Sequence, residues 1–580
     1  MAEQTPPAHE PHGSNEEIPR PWLQFYEKGV PEHLNYPSFA LWELVRNSAA
    51  AHPDKIATDF FGHTLTYAEL WDSVQRFAHA LQALGIRKSD RVALMLPNCP
   101  QFVIAFYGVQ LAGATVIAVN PIYTSRELEH VLKDSAAETL IVLDLKYPAF
   151  REVAAISQVK RTIVTGIQDY LPFPKNLLYP FKAKKEGMWV EVKPSPSIFF
   201  FKRLLKKYSP TPSKVTTNPE EDIAMLLYTG GTTGFPKAAM LTHRNLAANA
   251  LQNMSWTPGI ETGKEIIGCV LPFFHSYGLS TALNYGMQIA AKLVLFPKFS
   301  AADVVKGIAD KHITLFPGVP TMFVAINNYP DLRKYDLSSI KCCLSGGAPL
   351  PLEVKHQFEK NISGKLLEGY GLSESSPVLT GNVFNGMIRD GSIGIPLPDT
   401  DILIMDEDGK PVPIGEVGEL AAAGPQIMKG YWNRPEETAK TLRSYAGRTW
   451  LFTGDMAKMD ADGYFTIVDR KKDLILVGGY NVFPREVEEV LYEHPKVKEA
   501  VVAGVPDTFH GEFVKAYLVL HDGQTATEKE IQQFCKERIS GYKVPKSVEF
   551  RKDLPKTIIG KILRRELLEE EKRRAVERKE

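Results

Sequence analysis

The chain has 580 residues, 44% hydrophobic and 23% charged, a composition that excludes wholesale disorder and a length that exceeds one hydrophobic core, so two or more domains are expected. Lys+Arg and Asp+Glu both total 68, giving a formal net charge of zero. That balance excludes a global pull toward nucleic acid or an anionic membrane and leaves charge-guided binding to local patches.

Residues 1–20, rich in Glu and Pro, are expected to form a disordered tail without the basic and apolar regions of a signal peptide. Cys99, Cys269, Cys342, Cys343 and Cys535 show no CxxC or framework spacing. A reducing interior, the cytosol, is therefore expected, with the inner face of a membrane as the alternative station. Apolar runs such as "RVALMLP", "TVIAVNP" and "TLIVLD" alternate with helix-period stretches such as "LTYAELWDSVQRFAHALQALG", which predicts strand and helix layers of an α/β fold. The uncharged run from Phe102 to Val119 approaches the length of a bilayer span. Gln110 and Gly113 interrupt it and Pro100 and Pro121 bracket it without basic flanks, so a buried helix followed by the buried strand "TVIAV" is predicted.

Between Leu171 and Pro212 the alternation stops and basic residues mix with aromatics. Lys182, Lys184, Lys185, Lys202, Arg203, Lys206 and Lys207 could meet lipid phosphates while Phe199 to Phe201 enter the bilayer. The preferred alternative is a surface helix whose aromatics face the core. Next comes "YTGGTTGFPK", Tyr228 to Lys237, between the strand-like "DIAMLLYT" and "KAAMLT". It lacks the Walker pattern and joins two strands instead of entering a helix. Backbone N–H groups and the hydroxyls of Thr229, Thr232 and Thr233 would have to form the anion nest, with Gly230, Gly231 and Gly234 permitting close approach and Lys237 adding a point charge. Thr242 is placed to cap the helix that follows.

After Asp469 the texture changes to short strands and helices, so domains 21–469 and 470–580 are expected. The helix begun by Pro484 has Val487, Val490 and Leu491 on one face, and its glutamates are read as exposed and without chemistry. No groove-entering motif accompanies a basic face, which argues against nucleic acid. Neither "GLSES" nor "GLSTA" completes GxSxG, which argues against a serine hydrolase.

The glycine loop resembles the signature loop of the adenylate-forming enzymes, the superfamily of acyl-CoA synthetases, firefly-type luciferases and peptide-synthetase adenylation domains. "LPFFHSYGL", "SGGAPL", "EGYGLSESSP", "WLFTGD", "DRKKDLILVGGYNVFPREVEEVL" and "PKTIIGKILRRE" follow in the family's order. "YLPFPKNLLYPF" and "VGGYNVFP" look most like bacterial long-chain fatty acyl-CoA synthetases. The resemblance implies a large multi-sheet N-terminal domain with layered helices, binding ATP and the acyl group, and a small mobile α+β C-terminal domain. It also implies activation of a fatty acid by ATP and Mg²⁺, with release of pyrophosphate, before the thiol of coenzyme A displaces AMP.

By the same resemblance the loop, from Thr229 to Lys237, would hold the β and γ phosphates. Glu374 would bind the metal with Thr229 as a helper. Tyr370 would lie on the adenine face, with Gly346, Gly347, Gly371 and Ser373 in the same nucleotide site, while Asp455 and Arg470 would contact the ribose. Lys561 would touch the acyl carboxylate and α-phosphate during adenylation. Lys472 would be the hinge, Gly478 and Gly479 would line the pantetheine passage, and His275 would stand where the acyl and thiol paths meet.

Two positions depart from the family's pattern: Ser373 replaces a frequent Thr, keeping the hydroxyl, and Ala238 replaces a frequent Gly beside the loop. A carrier-protein or aryl-acid ligase remains the enzymatic alternative, and a non-catalytic acyl or nucleotide sensor the alternative from another class. Chain-length preference is left open, as is oligomeric state, with a homodimer among the options.

Overall fold

The apolar runs become buried strands of two large sheets. The computed structural model describes residues 18–229, 236–477, 480–507, 511–557 and 562–577, and among these it contains four sheets. An eight-stranded sheet has the order Gly430–Tyr431, Lys237–Thr242, Ile223–Thr229, Thr115–Ala118, Arg91–Met95, Thr139–Leu143, Arg161–Thr165, Ile198–Phe200. Its pairings from Ile223–Thr229 to Ile198–Phe200 are parallel. That accounts for the unbroken hydrophobicity of runs such as Thr139–Leu143, which is buried throughout because helices cover both faces.

The run that approached a membrane span divides as expected. Pro100–Leu111 is a helix with every residue from Pro100 to Gln110 buried, and Thr115–Ala118 is a fully buried strand. Gly108 lets that helix approach the helix Tyr67–Ala83, since a Cβ there would stand 2.9 Å from Phe77 Cδ1. Among the described residues no helix is long and apolar enough to cross a membrane.

A nine-stranded sheet places Lys365–Gly371 between the parallel strand Cys342–Ser345 and the antiparallel strand Val378–Gly381. The segments "SGGAP" and "GYGLSES" thus leave neighbouring strands at their C-terminal ends, where open α/β sheets form their crevices. A third, antiparallel sheet contains Arg448–Met459 paired with Phe465–Arg470, and its register sets Asp455 opposite Arg470. The fourth is built from Ile475–Val477, Tyr480–Val482, Val497–Asp507, Gly511–Leu520 and Ser547–Phe550 around its own apolar cluster, including Val487, Val502, Leu518 and Ile531.

The Leu171–Pro212 excursion contains two short helices of different character. In Phe201–Lys207, Phe201 and Leu204 are buried, as the core-facing reading expects. In Lys175–Lys185 that reading fails: Ala183 is the buried residue, while Leu177, Leu178 and Phe181 are exposed. The glutamates of Pro484–Tyr492 also need correcting. Val487 and Leu491 are buried as expected, but Glu488 is half-buried rather than exposed, accepting a hydrogen bond from Val502 N at 2.8 Å and pairing with Arg564 at 2.7 Å. Periodicity missed it because the Arg564 charge satisfies the carboxylate inside the fold.

Candidate functional site

The glycine loop joins the antiparallel strands Ile223–Thr229 and Lys237–Thr242. Thr242 closes a capping box with Asn245 at the start of the helix His243–Ser255, fixing the hairpin's exit. Gly230, Gly231, Thr232, Thr233 and Gly234 lie outside the described residues, as do Gly478, Gly479 and Lys561. At the hairpin's base Thr229 Oγ1 donates to Lys237 O at 3.4 Å. The short strand Gly430–Tyr431 pairs along the edge of Lys237–Thr242, Tyr431 opposite Ala239. This pairing brings Lys237 Nζ to 5.0 Å from the centre of the Tyr431 ring, and the same ammonium binds Glu437 Oε2 at 2.5 Å. The buried methyl of Ala238 sits inside this sheet and packs in an apolar cluster.

Glu374 approaches the same place from the turn after Lys365–Gly371. Tyr431 donates its hydroxyl to Glu374 Oε1 at 2.7 Å, and Met428 N donates to the Glu374 carbonyl at 2.8 Å. Burial, then the Glu374 charge, raise the Tyr431 phenol above its ordinary range, so it remains a hydrogen-bond donor at neutral pH. Gly371 is required by the turn, since a Cβ there would meet Pro377 O at 1.9 Å. Ser373 Oγ lies 3.2 Å from Ser276 Oγ, so the hydroxyl kept at this position joins the turn to the His275 segment.

Tyr370 donates to Asp455 Oδ2 at 2.6 Å, and Arg470 Nε lies 3.4 Å from Asp455 Oδ1. Burial, followed by Asp455, pushes the Tyr370 phenol well up, so it too stays protonated. Gly346 packs against the Tyr277 ring, whose hydroxyl donates to Leu344 O at 2.7 Å, and Gly347 adopts a φ of 79° that favours glycine. His275 caps the short turn Ser276–Gly278, its Nδ1 accepting from Tyr277 N at 3.3 Å. A π-helical turn, Leu279–Asn284, follows.

Lys472 occupies the exposed turn after Arg470, held by Lys471 N to Gly454 O at 3.1 Å and Asp473 N to Arg470 O at 2.9 Å. Arg564, three residues beyond Lys561, bonds Asp469, Asp473 and Glu488 at 3.3, 3.1 and 2.7 Å. Asp469 also accepts the backbone N–H of Arg485 at 2.9 Å. Both flanks of the expected hinge are therefore tied to the start of the C-terminal helix Arg564–Glu577.

Thr229, Lys237, Glu374, Tyr370, Asp455 and Arg470 are thus held in two connected constellations, one around Tyr431 and one around Asp455. Sequence reasoning missed Tyr431, Glu437 and Arg564. Tyr431 and Glu437 have no spacing relation to the loop, and only strand pairing brings them there; Arg564 stands inside "PKTIIGKILRRE" itself but reads as one of many tail charges.

Among the described residues no cluster of three or more His, Cys, Asp or Glu could hold a metal by itself. Glu374 Oε2 has no protein hydrogen-bond partner among those residues. A carboxylate oxygen without a partner among the described residues fits the oxygen ligation that a magnesium ion takes.

A family model described as AMP-binding enzyme matches residues 45–432, and one described as AMP-binding enzyme C-terminal domain matches residues 486–561. The chain is 48% identical to a Bacillus subtilis (strain 168) protein named long-chain-fatty-acid–CoA ligase, over 95% of this chain and 98% of the relative. It is 39% identical to a Yersinia pestis protein of the same name, over 95% and 98%. A solved anthranilate CoA ligase in complex with anthranoyl-AMP superposes with a TM-score of 0.82 at 26% identity, covering 94% of this chain and 99% of that one. The chain belongs to the AMP-binding enzyme family.

Proposed function

We propose that the protein is an ATP-dependent long-chain fatty acid:CoA ligase that works in two steps. In the first, a carboxylate oxygen attacks the α-phosphorus of ATP, the bond to the β-phosphate oxygen breaks, and acyl-AMP and pyrophosphate result. In the second, the CoA thiol loses its proton and attacks the acyl carbonyl; the bond to the phosphate oxygen breaks, giving acyl-CoA and AMP. The observation that carries this reading is the joint constellation of Lys237, Tyr431 and Glu374 at the hairpin with Tyr370, Asp455 and Arg470 across the sheet edge. The long-chain class rests on the printed names of the full-length relatives.

Lys237 would meet the departing phosphates from the base of the loop, with Gly230, Gly231, Thr232, Thr233 and Gly234 supplying the nest. Glu374, with Thr229, would hold Mg²⁺, which when bound neutralises phosphate charge. Tyr431 fixes the Glu374 carboxylate by occupying one oxygen. Tyr370 would pack on the adenine, with Gly346 and Gly347 allowing the base to sit close, while Asp455 and Arg470 face the ribose. Lys561 would stabilise charge developing between acyl carboxylate and α-phosphate.

The small domain, 470–580, would then turn about Lys472 to admit CoA past Gly478 and Gly479, with His275 lining the junction of the two paths. Five buried free thiols suit a reducing interior, and we assign the protein to the cytoplasm on that basis. The test is AMP release from ATP and Mg²⁺ across fatty acids of graded length and an aryl acid, with and without CoA. CoA-dependent turnover that peaks with long chains is expected; turnover indifferent to CoA would mean another acceptor.

A further inference from the structure

The helix Lys175–Lys185 presents an apolar surface that the catalytic reading leaves unused. Phe173 is 79% exposed and Phe181 75%, more than any other exposed large hydrophobic among the described residues, and Leu177 and Leu178 between them are 60% and 59% exposed. The spacing from 177 and 178 to 181 places these side chains on one face, and Phe173 lies just ahead of the helix's first turn. Ala183 is buried and Asn176, Tyr179 and Pro180 are half-buried, so the helix is seated on the protein by its other side. A contiguous exposed patch of this kind marks a contact surface.

Charge identifies what covers it. From Leu171 to Trp189 there are four lysines, Lys175, Lys182, Lys184 and Lys185, against one glutamate, Glu186. All four lysines are exposed. Lys182 reaches Glu186 only at 3.9 Å, and among the described residues no carboxylate pairs with Lys175 or Lys185. Lys184 lies 5.4 Å from the ring of the half-buried Trp189, and Met188 beside it is exposed. Large apolar side chains with lysines along their edge, and an aromatic at the boundary, are the chemistry of a helix lying in a bilayer interface. A second copy of the chain is a poorer occupant, because a two-fold contact sets the same patch against itself and would bring the lysine sets face to face.

We propose that Phe173, Leu177, Leu178 and Phe181 dock the protein on an anionic lipid surface, with Lys175, Lys182, Lys184 and Lys185 meeting the headgroups. The docking is peripheral, and it stands on the exposed face whichever acid the catalytic site takes.

Flotation with vesicles of phosphatidylcholine, alone or with about one third phosphatidylglycerol, tests it on the full chain. The protein is expected to float with the anionic vesicles at low salt, not with the neutral ones, and to be released as ionic strength rises. Leu177→Ser/Phe181→Ser and Lys182→Glu/Lys184→Glu/Lys185→Glu should each lower the bound fraction about tenfold or more, with unchanged thermal midpoints because every altered side chain is exposed. Absent flotation of the unaltered protein, or equal flotation by the variants, would overturn the proposal. So would a dimer in solution that Leu177→Ser/Phe181→Ser turns into a monomer, since the patch would then belong to a second copy.

Discussion

Tyr370 and Asp455 are joined by a 2.6 Å hydrogen bond across 85 positions of sequence, linking a strand end of the nine-stranded sheet to the antiparallel sheet that carries Arg470. The bond fixes the ring that would face adenine to the carboxylate that would face ribose. Tyr370→Phe keeps the ring and removes one hydrogen bond, worth about 0.5–1.5 kcal/mol. The KM for ATP should therefore rise up to about tenfold, with kcat nearly unchanged. Asp455→Ala removes a charged acceptor and strands both partners, and kcat/KM should fall on the order of 100-fold. Steady-state kinetics in ATP decides it, and equally mild effects from both variants would remove Asp455 from the nucleotide site.

Glu374 and Tyr431 make a second prediction. Glu374→Gln preserves an oxygen for the Tyr431 hydroxyl but loses the charge, so kcat should drop about 100-fold or more and the Mg²⁺ concentration for half-maximal rate should rise. Tyr431→Phe leaves the charge and releases its orientation, and a loss of about tenfold or less is expected. A Mg²⁺ titration of both variants separates the roles. If Glu374→Gln leaves the Mg²⁺ dependence unmoved, the carboxylate does not hold the ion.

Arg564 gathers three carboxylates, Asp469, Asp473 and Glu488; the first two hold the segment on either side of Lys472 and the third ties in the helix Pro484–Tyr492. Burial raises the Glu488 carboxyl even though Arg564 opposes that shift. Arg564→Met fills the volume but leaves the carboxylates without their cation, which costs about 3 kcal/mol or more. Thermal unfolding and limited proteolysis should show a loosened C-terminal region. Adding Glu488→Gln should recover part of the loss, and failure of that rescue would show that the guanidinium acts by packing alone.

The sequence made the hairpin around the glycine loop, the capped helix after Thr242 and the buried Pro100–Leu111 helix legible because each depends on neighbours within a few residues. Asp455 and Arg470 were readable from the family motifs; that Asp455 holds both Arg470 and Tyr370 was not, because it depends on strand register and on sheets that meet far along the chain. Tyr431 and Glu437 carry no local signal for the same reason. Leu177, Leu178 and Phe181 misled in the opposite direction: an apolar helical face predicts burial, and only the structure shows that none of the described residues covers it.

Lys561 is expected to serve one half of the reaction. Lys561→Ala should abolish formation of acyl-adenylate while sparing thioester formation from supplied acyl-AMP and CoA. The two half-reactions are separable by following pyrophosphate release and acyl-CoA formation in independent assays. Equal loss in both would refute the division of labour between the two domain positions.

Glu368, two residues before Tyr370 on the same strand, gives a pH-dependent prediction. Its side chain is buried, accepts from Leu350 N at 3.3 Å, and is influenced by Arg485 and Glu489 from the helix Pro484–Tyr492 and by Asp390. Burial raises the carboxyl from its ordinary 4.5 to about 7, against the opposing effect of Arg485 and the Leu350 hydrogen bond. The folded state therefore holds a proton that the unfolded chain has released between those two values. Stability from this group is fully present below the unfolded pKa and is lost as pH rises through the folded one, by up to about 3 kcal/mol at 1.36 kcal/mol per unit. Glu368→Gln, permanently neutral, should lack that loss. The difference in stability between variant and unaltered protein should grow in favour of the variant from pH 5 to about pH 7 and then level. Denaturant unfolding at a series of pH values reads this directly, and parallel curves for the two proteins would mean that Glu368 is charged throughout, with Arg485 outweighing the cost of its burial.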